Sequence, residues 1–274
     1  MNIGVIKAIG PNSKDGIFDL MAELGLTTCQ LNIWDTSLYT DELAASILRQ
    51  SQATGVKPCA LWAGYCEPRV WNYTEGPTTL GLVPPQYRAR RVEELKRGGD
   101  FARKLGLPAI VTHCGFIPEN LTDPEYRPVV DAIGEVASHC RDLGVGFWFE
   151  TGQETPIVLL RVIQDLGLDN LGINLDPANL LLYGKGNPID ALDVFGPYVR
   201  NVHVKDGLQP TDGHSLGREV QVGKGQVNFP AFIRKLKNSG FDGELVIERE
   251  IPAGPEQRRD IIETIDNLKL WWNA

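Results

Sequence analysis

Four residues in the second half of the chain could together bind a divalent metal ion. Glu150, Asp176, His203 and Glu248 each lie within or at the end of a short apolar segment. Three carboxylates and one imidazole suit a hard or borderline cation that keeps open coordination positions. We therefore predict a Mn²⁺ site, with Mg²⁺, Co²⁺ and Zn²⁺ as alternatives. Such an ion can stabilise the enediolate that forms when a carbon-bound proton next to a carbonyl group is removed.

The segments that carry these residues show the two-residue alternation of β-strands. In Gly-Phe-Trp-Phe-Glu, Phe147 and Phe149 share one face of the strand, and Glu150 lies on the other. The three other segments alternate in the same way. We therefore predict that the polar face of each strand points into a barrel and that the apolar face packs against helices.

The metal-site prediction depends on the succession of strands and not on any one residue. A single acidic residue at a strand end usually caps a helix or joins an ion pair, and Lys205 and Arg249 are available partners here. Three carboxylates and one imidazole from four successive strand ends would instead converge at one face of a barrel. Because converging carboxylates repel one another, a cation between them is expected.

Eight short apolar segments alternate with amphipathic stretches, and no Pro/Ser-rich linker or low-complexity segment interrupts them. A (β/α)₈ barrel is closed by eight parallel strands, each followed by a helix. We predict the α/β class, with a single TIM-barrel domain over residues 1–274. The predicted strands are Ile3–Ala8, Thr27–Asn32, Lys57–Trp62, Ala109–Cys114, Gly146–Glu150, Leu171–Asp176, Val199–Lys205 and Glu244–Glu248.

Two connections are longer than the tight turns that usually join a strand to a helix. Residues 63–85 contain Tyr65, Trp71 and Tyr73, whereas residues 206–228 are rich in glycine. Connections that follow strands lie over the C-terminal face of a barrel, where active sites are built. We predict that the first connection is a lid or a substrate wall.

The composition excludes several classes of function. Of the 274 residues, 42% are hydrophobic, which suffices for a sizeable core, and the formal net charge of −8 argues against nucleic acid and anionic membranes as partners. Without a signal sequence or a long apolar run, a cytoplasmic protein is expected. The five cysteines contain no C-x-x-C pair and are expected to be free thiols. Assembly into a homo-oligomer stays open.

The chain resembles the xylose-isomerase-like barrel superfamily, in particular the sugar phosphate isomerases and epimerases related to ketose 3-epimerases. The resemblance covers nearly the whole chain. The motifs that carry it are Phe-Glu-Thr-Gly around Glu150, Asn-Leu-Asp-Pro-Ala-Asn around Asp176, Val-His-Val-Lys-Asp around His203, Val-Gly-Lys-Gly-Gln-Val-Asn-Phe before the last helix-strand unit, and Val-Ile-Glu at Glu248.

This resemblance implies that Glu150, Asp176, His203 and Glu248 are the metal ligands, and that the two glutamates also act as acid and base. It further implies a metal-dependent isomerase or epimerase of carbohydrate metabolism, whose partner is a small sugar or keto-sugar. The DNA-repair branch, endonuclease IV, resembles this chain less. That branch needs a histidine-rich three-metal site, and this acidic chain has only four histidines.

Further residues are predicted to contact the substrate. His113 at the end of the fourth strand and Lys205 beyond His203 could bind hydroxyls or developing negative charge. Relatives of the ketose 3-epimerase type carry a histidine at the position of Asn179, and a substrate-binding arginine to which Arg218 is an approximate match. Trp34, Trp62 and Trp71 could offer apolar surfaces to sugar C–H faces. The predicted substrate-binding set is His113, Lys205, Asn179, Arg218 and Trp62.

One ion and two glutamates could serve several reactions. Acid and base on opposite faces of the substrate would epimerise a carbon, whereas a single group that moves a proton between neighbouring carbons would interconvert aldose and ketose. Either glutamate could also assist the elimination of a β-hydroxyl group. The leading hypothesis is an isomerase or epimerase. The alternatives are a lyase or hydratase on a keto-sugar or polyol, and a non-catalytic sugar-binding protein.

Overall fold

Eight parallel strands form a closed barrel in the computed structural model, which describes residues 1–13 and 15–274. In order around the barrel they are β1 (Asn2–Ala8), β2 (Thr28–Ile33), β3 (Lys57–Ala63), β4 (Ala109–Thr112), β5 (Gly146–Glu150), β6 (Leu171–Leu175), β7 (Val199–Val204) and β10 (Glu244–Ile247), which pairs with β1. Two short strands outside the barrel, β8 (Asp206–Leu208) and β9 (Arg218–Val220), pair antiparallel. The predicted (β/α)₈ barrel is confirmed.

Helices surround the barrel. They are α1 (Asp19–Glu23), α2 (Asp41–Thr54), α3 (Gly76–Thr79), α4 (Pro85–Leu105), α5 (Tyr126–Asp142), α6 (Pro156–Leu166), α7 (Pro177–Leu182), α8 (Pro188–Phe195), α9 (Phe229–Asn238) and α10 (Pro255–Asn273). The side chains of Thr155 and Asn187 accept hydrogen bonds from the first turns of α6 and α8, as their position before a proline predicts. Within residues 1–13 and 15–274, no helix is long and apolar enough to span a membrane.

The strands end slightly earlier than predicted on the side of the barrel that carries the site. β4 ends at Thr112, and Asp176, Lys205 and Glu248 each lie one residue beyond the end of a strand. At Asp176 the backbone already turns toward the next helix, because this residue is the N-cap of α7 and its side chain accepts a hydrogen bond from the backbone of Asn179. Lys205 instead directly precedes β8. The side chains of Glu150, Asp176, His203 and Glu248 therefore lie at the rim of the barrel.

The lower part of the barrel interior is filled by the side chain of Trp148. A Cβ atom at Gly146 would lie 2.8 Å from its indole nitrogen, and a Cβ atom at Gly172 would lie 2.6 Å from its Cδ1 atom. Glycine is therefore needed beside this ring both on β5, which carries Trp148, and on the neighbouring strand β6. Ala60 and Val111 pack in the same interior cluster. Trp148 also lines an open space of about 600 Å³ at the N-terminal ends of the strands. The ring therefore lies between that space and the cavity at the opposite end of the barrel.

A buried arginine fixes the connection between β3 and α4, residues 64–84, which we call the wall segment. The guanidinium of Arg91 donates hydrogen bonds to the carbonyl oxygens of Pro68 at 2.7 Å, Gly81 at 2.8 Å and Cys66 at 3.0 Å. Its side chain is fully buried. Because residues near both ends of the segment accept hydrogen bonds from the guanidinium of Arg91 on α4, the segment is fixed as a wall and is not a free lid.

A single carboxylate organises the glycine-rich connection after β7. Asp206 is buried and accepts hydrogen bonds from the backbone N–H groups of Gly223, Gly225 and Val227 at 2.9, 3.0 and 3.1 Å. A Cβ atom at Gly225 would lie 2.0 Å from its Oδ1 atom, so that only glycine permits this approach. The Val-Gly-Lys-Gly-Gln-Val motif therefore encodes a loop folded around Asp206.

Replacing Arg91 by methionine should loosen the wall segment. Three carbonyl oxygens would lose their charged donor, so we expect a loss of about 2–4 kcal/mol in the free energy of unfolding. The matched control is Arg127→Met, since Arg127 is exposed on α5 and pairs with the exposed Asp131 one turn along the helix. That control should lose less than about 0.5 kcal/mol. Urea denaturation and limited proteolysis within residues 64–84 measure both effects. Equal losses in the two variants would contradict this function of Arg91.

Candidate active site

The four predicted metal-binding residues converge at the rim of the barrel. Each of Glu150, Asp176, His203 and Glu248 offers one ligand atom, and these atoms all lie within 4.8 Å of one another. All four residues are buried. They come from β5, β6, β7 and β10, which are neighbours in the barrel. The arrangement brings together the set that the strand alternation predicts.

Asp176 shows that a cation would fit this cluster. One carboxylate oxygen, Oδ1, accepts the hydrogen bond from the backbone of Asn179 at 2.9 Å. The other oxygen, Oδ2, is buried and has no hydrogen-bond partner among the residues that the structure describes. The ammonium nitrogen of Lys205 is 3.7 Å from Oδ2, which is too far for a hydrogen bond. Because an ionised carboxylate oxygen that is buried without a donor is costly, a divalent ion would be a fitting partner for Oδ2.

The imidazole of His203 lies at the centre of the cluster and has different partners on its two nitrogens. Nδ1 is 3.0 Å from Oε1 of Glu150 and 3.2 Å from Oε2 of Glu248. On the other side of the ring, Nε2 is 2.5 Å from the side-chain oxygen of Gln30. When Nε2–H donates to Gln30, the lone pair of Nδ1 faces the carboxylates. This is the orientation that a metal-binding histidine requires.

A chain of amides below His203 holds Gln30 in place. The side-chain nitrogen of Gln30 donates to Oδ1 of Asn174 at 3.3 Å, and the side-chain nitrogen of Asn201 donates to the same oxygen at 2.5 Å. None of these three residues was among the predicted site residues, although the alternation of β6 and β7 places Asn174 and Asn201 on the same faces as Asp176 and His203. The sequence does contain a signal for Gln30. It lies between the apolar residues Cys29 and Leu31, so the alternation of the strand places its side chain on the opposite, inward face.

Burial and mutual charge shift the protonation of the cluster. Burial raises the pKa of Asp176. Burial alone would lower the pKa of His203, but Glu150 and Glu248 raise it well above its ordinary value. Burial opposes ionisation of Glu248, yet Lys205 and His203 hold its pKa well below the usual range. Protons on Asp176 and His203 can thus offset part of the carboxylate charge, and a divalent ion would displace them.

Lys205 is buried beside the cluster and is surrounded by acids. Its ammonium nitrogen lies 2.6 Å from Glu250, 3.4 Å from Glu248 and 3.7 Å from Asp176. Burial alone would lower its pKa, but these carboxylates raise it well above the ordinary value. Lys205 therefore remains charged, as a donor beside Glu248.

On the opposite side of the cluster, Glu150 is contacted by an indole N–H group and lies near the ring of His113. Trp62 donates a hydrogen bond from its indole nitrogen to Oε2, and Nε2 of His113 lies 3.6 Å from Oε1. Burial lowers the pKa of His113. The surroundings of the two glutamates therefore differ, because Glu150 faces an indole and a largely neutral imidazole, whereas Glu248 faces an ammonium group.

A cavity of about 480 Å³ opens above the cluster. The residues that line it are Asn32, Trp34, Trp62, Glu67, Arg69, Trp71, His113, Glu150, Asn179, Leu182, Tyr183, Lys205, Leu216, Glu248 and Glu250. Four of the five predicted substrate-binding residues are in this lining. A space of this size, closed below and open above, can take a small polar ligand against the cluster.

The fifth predicted residue, Arg218, lies elsewhere. It is exposed on β9, in the antiparallel ribbon outside the barrel, and does not contribute to the cavity lining. The antiparallel pairing of Arg218 with Leu208 holds it in this ribbon. Asn179 does line the cavity, and its side chain donates to the backbone oxygen of Thr151 at 3.3 Å.

Glu154 is a further buried acid that the sequence analysis did not identify. It lies in the connection after β5, and neither carboxylate oxygen has a well-aligned donor among the described residues. Burial is the main cause that raises its pKa to about 8. This carboxyl is therefore largely protonated at neutral pH.

Residues 18–271 match the protein-family model described as xylose isomerase-like TIM barrel. The crystal structure of a xylose isomerase domain protein from Planctomyces limnophilus is 35% identical with a TM-score of 0.91, over 98% of this chain and 96% of that chain. A D-tagatose 3-epimerase-like protein is 21% identical with a TM-score of 0.76, over 100% and 97% of the two chains, and shares the fold.

The curated relatives align over shorter segments. An uncharacterized protein of Methanocaldococcus jannaschii is 28% identical over 66% of this chain and 62% of its own length. A ketose 3-epimerase of Arthrobacter globiformis is 27% identical over 43% and 39% of the two chains. An inosose dehydratase of Lacticaseibacillus casei is 22% identical over 48% and 49%. The chain thus matches less than two thirds of the length of these relatives.

Gln30→Met should weaken metal binding without removing a ligand. The variant loses the acceptor for Nε2–H of His203, so that the ring no longer has a fixed tautomer, and we expect about 10–100-fold lower affinity for Mn²⁺. Gln30→Glu keeps an acceptor oxygen and should lose less. Calorimetric titration of chelator-treated protein with Mn²⁺ measures both. Wild-type affinity in Gln30→Met would contradict the orienting contact.

Glu154→Gln should stabilise the protein at alkaline pH. Because the pKa in the folded protein is about 8 and exceeds the value of an unfolded glutamate, the folded state binds more protons and loses stability as pH rises from about 4 to 8. We expect the variant to unfold several degrees higher than wild type at pH 8, with a much smaller difference at pH 4. Glu93→Gln, at an exposed position, is the control. A pH-independent difference would disprove the buried-acid explanation.

Proposed function

Because the chain belongs to the xylose isomerase-like TIM barrel family, we propose that it is a divalent-metal-dependent isomerase or epimerase that acts on a sugar or keto-sugar. The observation that carries the proposal is the buried cluster of three carboxylates around Nδ1 of His203, with Oδ2 of Asp176 left without a donor. The similarity to a ketose 3-epimerase supports the same class of substrate.

We propose that Glu150, Asp176, His203 and Glu248 hold the ion. Three oxygens and one nitrogen suit Mn²⁺, and Mg²⁺, Co²⁺ and Zn²⁺ are the alternatives. When bound, such an ion supplies Lewis-acid stabilisation of negative charge on substrate oxygens. The chain contributes the ligands, their orientation through Gln30, and a cavity that is closed below.

The two glutamates are proposed to move the proton. They flank His203, at 3.0 and 3.2 Å from its Nδ1 atom, so that a substrate above the cluster would have one carboxylate on each side. One glutamate would accept the carbon-bound proton, and the other would return a proton from the opposite side and invert the carbon. If a single glutamate reaches both carbons, the product is instead the aldose or ketose isomer.

The cavity lining is proposed to bind the substrate. His113 and Asn179 offer polar groups to hydroxyls, and the face of Trp62 offers an apolar surface to the C–H side of a sugar ring. Lys205 is proposed to stabilise negative charge that develops on the substrate, because its ammonium group is held at the edge of the cluster.

A metal-dependent lyase is the second candidate, favoured by a specific feature. Elimination of a β-hydroxyl group needs a general acid beside the leaving oxygen, and Lys205 is a buried, charged donor that lines the same cavity. The similarity to an inosose dehydratase agrees with this chemistry. Both candidates begin with the same proton removal and differ in the product.

Metal content tests the ligand set. Purified wild-type protein should contain a divalent ion by elemental analysis, and His203→Ala should lose it. His139→Ala is the matched control, because His139 lies on the outer helix α5 and pairs with Asp100. Binding of Mn²⁺ to chelated protein should also release protons, since His203 is protonated over a wide pH range without an ion. Full occupancy in His203→Ala would refute the ligand set.

Exchange of a carbon-bound proton tests the reaction. Ketoses, sugar phosphates and 3-keto-glycosides are incubated with the Mn²⁺-loaded protein in deuterium oxide and followed by NMR. We expect deuterium at one carbon of a substrate, and a loss of about 100–10,000-fold in the exchange rate of Glu150→Gln. An inverted centre identifies an epimerase, a shifted carbonyl an isomerase, and a lost hydroxyl a lyase. Sugar binding without exchange or turnover would instead indicate a non-catalytic binding protein.

A further inference from the structure

An aromatic surface extends from the metal cluster into the outer part of the cavity. Trp34 lies next to Trp62, with ring centroids 4.3 Å apart, and Trp71 lies beyond it at 6.1 Å. The ring of Trp71 also packs edge-on against His113 at 5.1 Å. These rings form one continuous surface that runs from Glu150 outward to the mouth of the cavity.

Trp71 is the open end of this surface. It is 39% exposed, whereas Trp62 is 3% exposed. One face of Trp34 is already covered, because the guanidinium of Arg69 lies 4.1 Å from its ring centroid. An exposed tryptophan at the mouth of a cavity, carried by a wall segment that Arg91 fixes, is a preformed surface for a ligand.

Apolar side chains lie across the cavity from Trp71. Leu182 and Tyr183 come from the end of α7, after β6, and Leu216 comes from the connection after β7. In the ring of eight strands, β6 and β7 are opposite β2 and β3, which carry Trp34 and the wall segment. The outer cavity is therefore a slot between an aromatic and an apolar wall. We call this slot, between Trp71 and Leu216, the outer subsite.

The charges around the cavity indicate a ligand without a phosphate group. Both basic side chains in the lining are already engaged, since Arg69 lies 2.5 Å from Glu67 and Lys205 lies 2.6 Å from Glu250. Glu150 and Glu248 add further negative charge. An anionic group in the outer subsite would face more acids than bases.

We propose that the outer subsite binds the second ring of a neutral glycoside, either an aglycone or a second sugar, stacked on Trp71. The sugar at the metal cluster would then occupy only the inner part of the 480 Å³ cavity. This inference rests on the proposed function for the inner sugar, but the outer subsite can be tested without turnover.

The test compares two inert probes by calorimetry on Mn²⁺-loaded protein: methyl β-D-glucopyranoside and phenyl β-D-glucopyranoside. They share the inner sugar and differ only in the group that would reach Trp71. We expect the phenyl glycoside to bind roughly tenfold tighter or more. In Trp71→Ala the two affinities should become equal within about twofold, and Trp71→Phe should restore most of the preference.

Trp272→Ala is the matched control, because Trp272 lies on α10 and packs near Lys237, away from the cavity. It should keep the wild-type preference. Equal affinities in the wild-type protein, a preference that survives in Trp71→Ala, or no binding of either probe would each overturn the outer subsite. The outer subsite would also be overturned if the wild-type protein is a dimer without a preference between the glycosides and Trp71→Ala is a monomer. Trp71 would then belong to a subunit contact.

These outcomes are independent of the exchange experiment. If the protein exchanges protons of free ketoses but binds both probes equally, the proposed function is supported and the outer subsite is refuted. If the protein prefers the phenyl glycoside but exchanges no carbon-bound proton, the outer subsite is supported and the proposed function is refuted. The two inferences therefore fail separately.

Discussion

Three carboxylates buried around one imidazole repel one another, and this repulsion is the constraint on which the rest of the site depends. Their ligand atoms lie within 4.8 Å, where solvent screening is weak. Protons on Asp176 and His203, and the ammonium of Lys205, offset part of the charge. A divalent cation offsets it more completely, because it also satisfies Oδ2 of Asp176. The cluster thus favours metal loading without any large rearrangement of the barrel.

The same constraint explains the polar layer beneath the cluster. An imidazole can present either nitrogen, and only a fixed acceptor on one side directs the lone pair of the other to the ion. Gln30 supplies this acceptor from β2, across the barrel interior from His203 on β7, and Asn174 holds Gln30 by a further hydrogen bond. Uncharged amides suit this position, because another carboxylate would add to the repulsion above.

The sequence allows the barrel and the four converging side chains to be predicted, because both follow from local patterns. Alternation places Glu150 inward without knowledge of its partners, and eight apolar segments indicate the closed barrel. The contacts of Gln30 and Arg91 could not be predicted in this way. Gln30 meets His203 across 173 positions of the chain, and Arg91 bonds to backbone oxygens that carry no sequence signature. The position of Arg218 outside the cavity lining could not be predicted either, since it follows from the pairing of β9 with β8.

The two halves of the barrel contribute different properties to the site. Strands β5, β6, β7 and β10 supply the charged groups, whereas β2, β3 and the wall segment supply the indole rings. A metal cluster that holds a sugar by adjacent oxygens recognises little of what is attached to that sugar. Discrimination between glycosides with different attached groups must therefore come from the outer surfaces of the cavity. The loops that carry these surfaces can differ in sequence without disturbing the buried charges. Arg91 ties the wall segment, and with it Trp71, to α4 and not to the four predicted metal ligands. Trp62 links the two parts, because it packs against Trp34 and donates a hydrogen bond to Glu150.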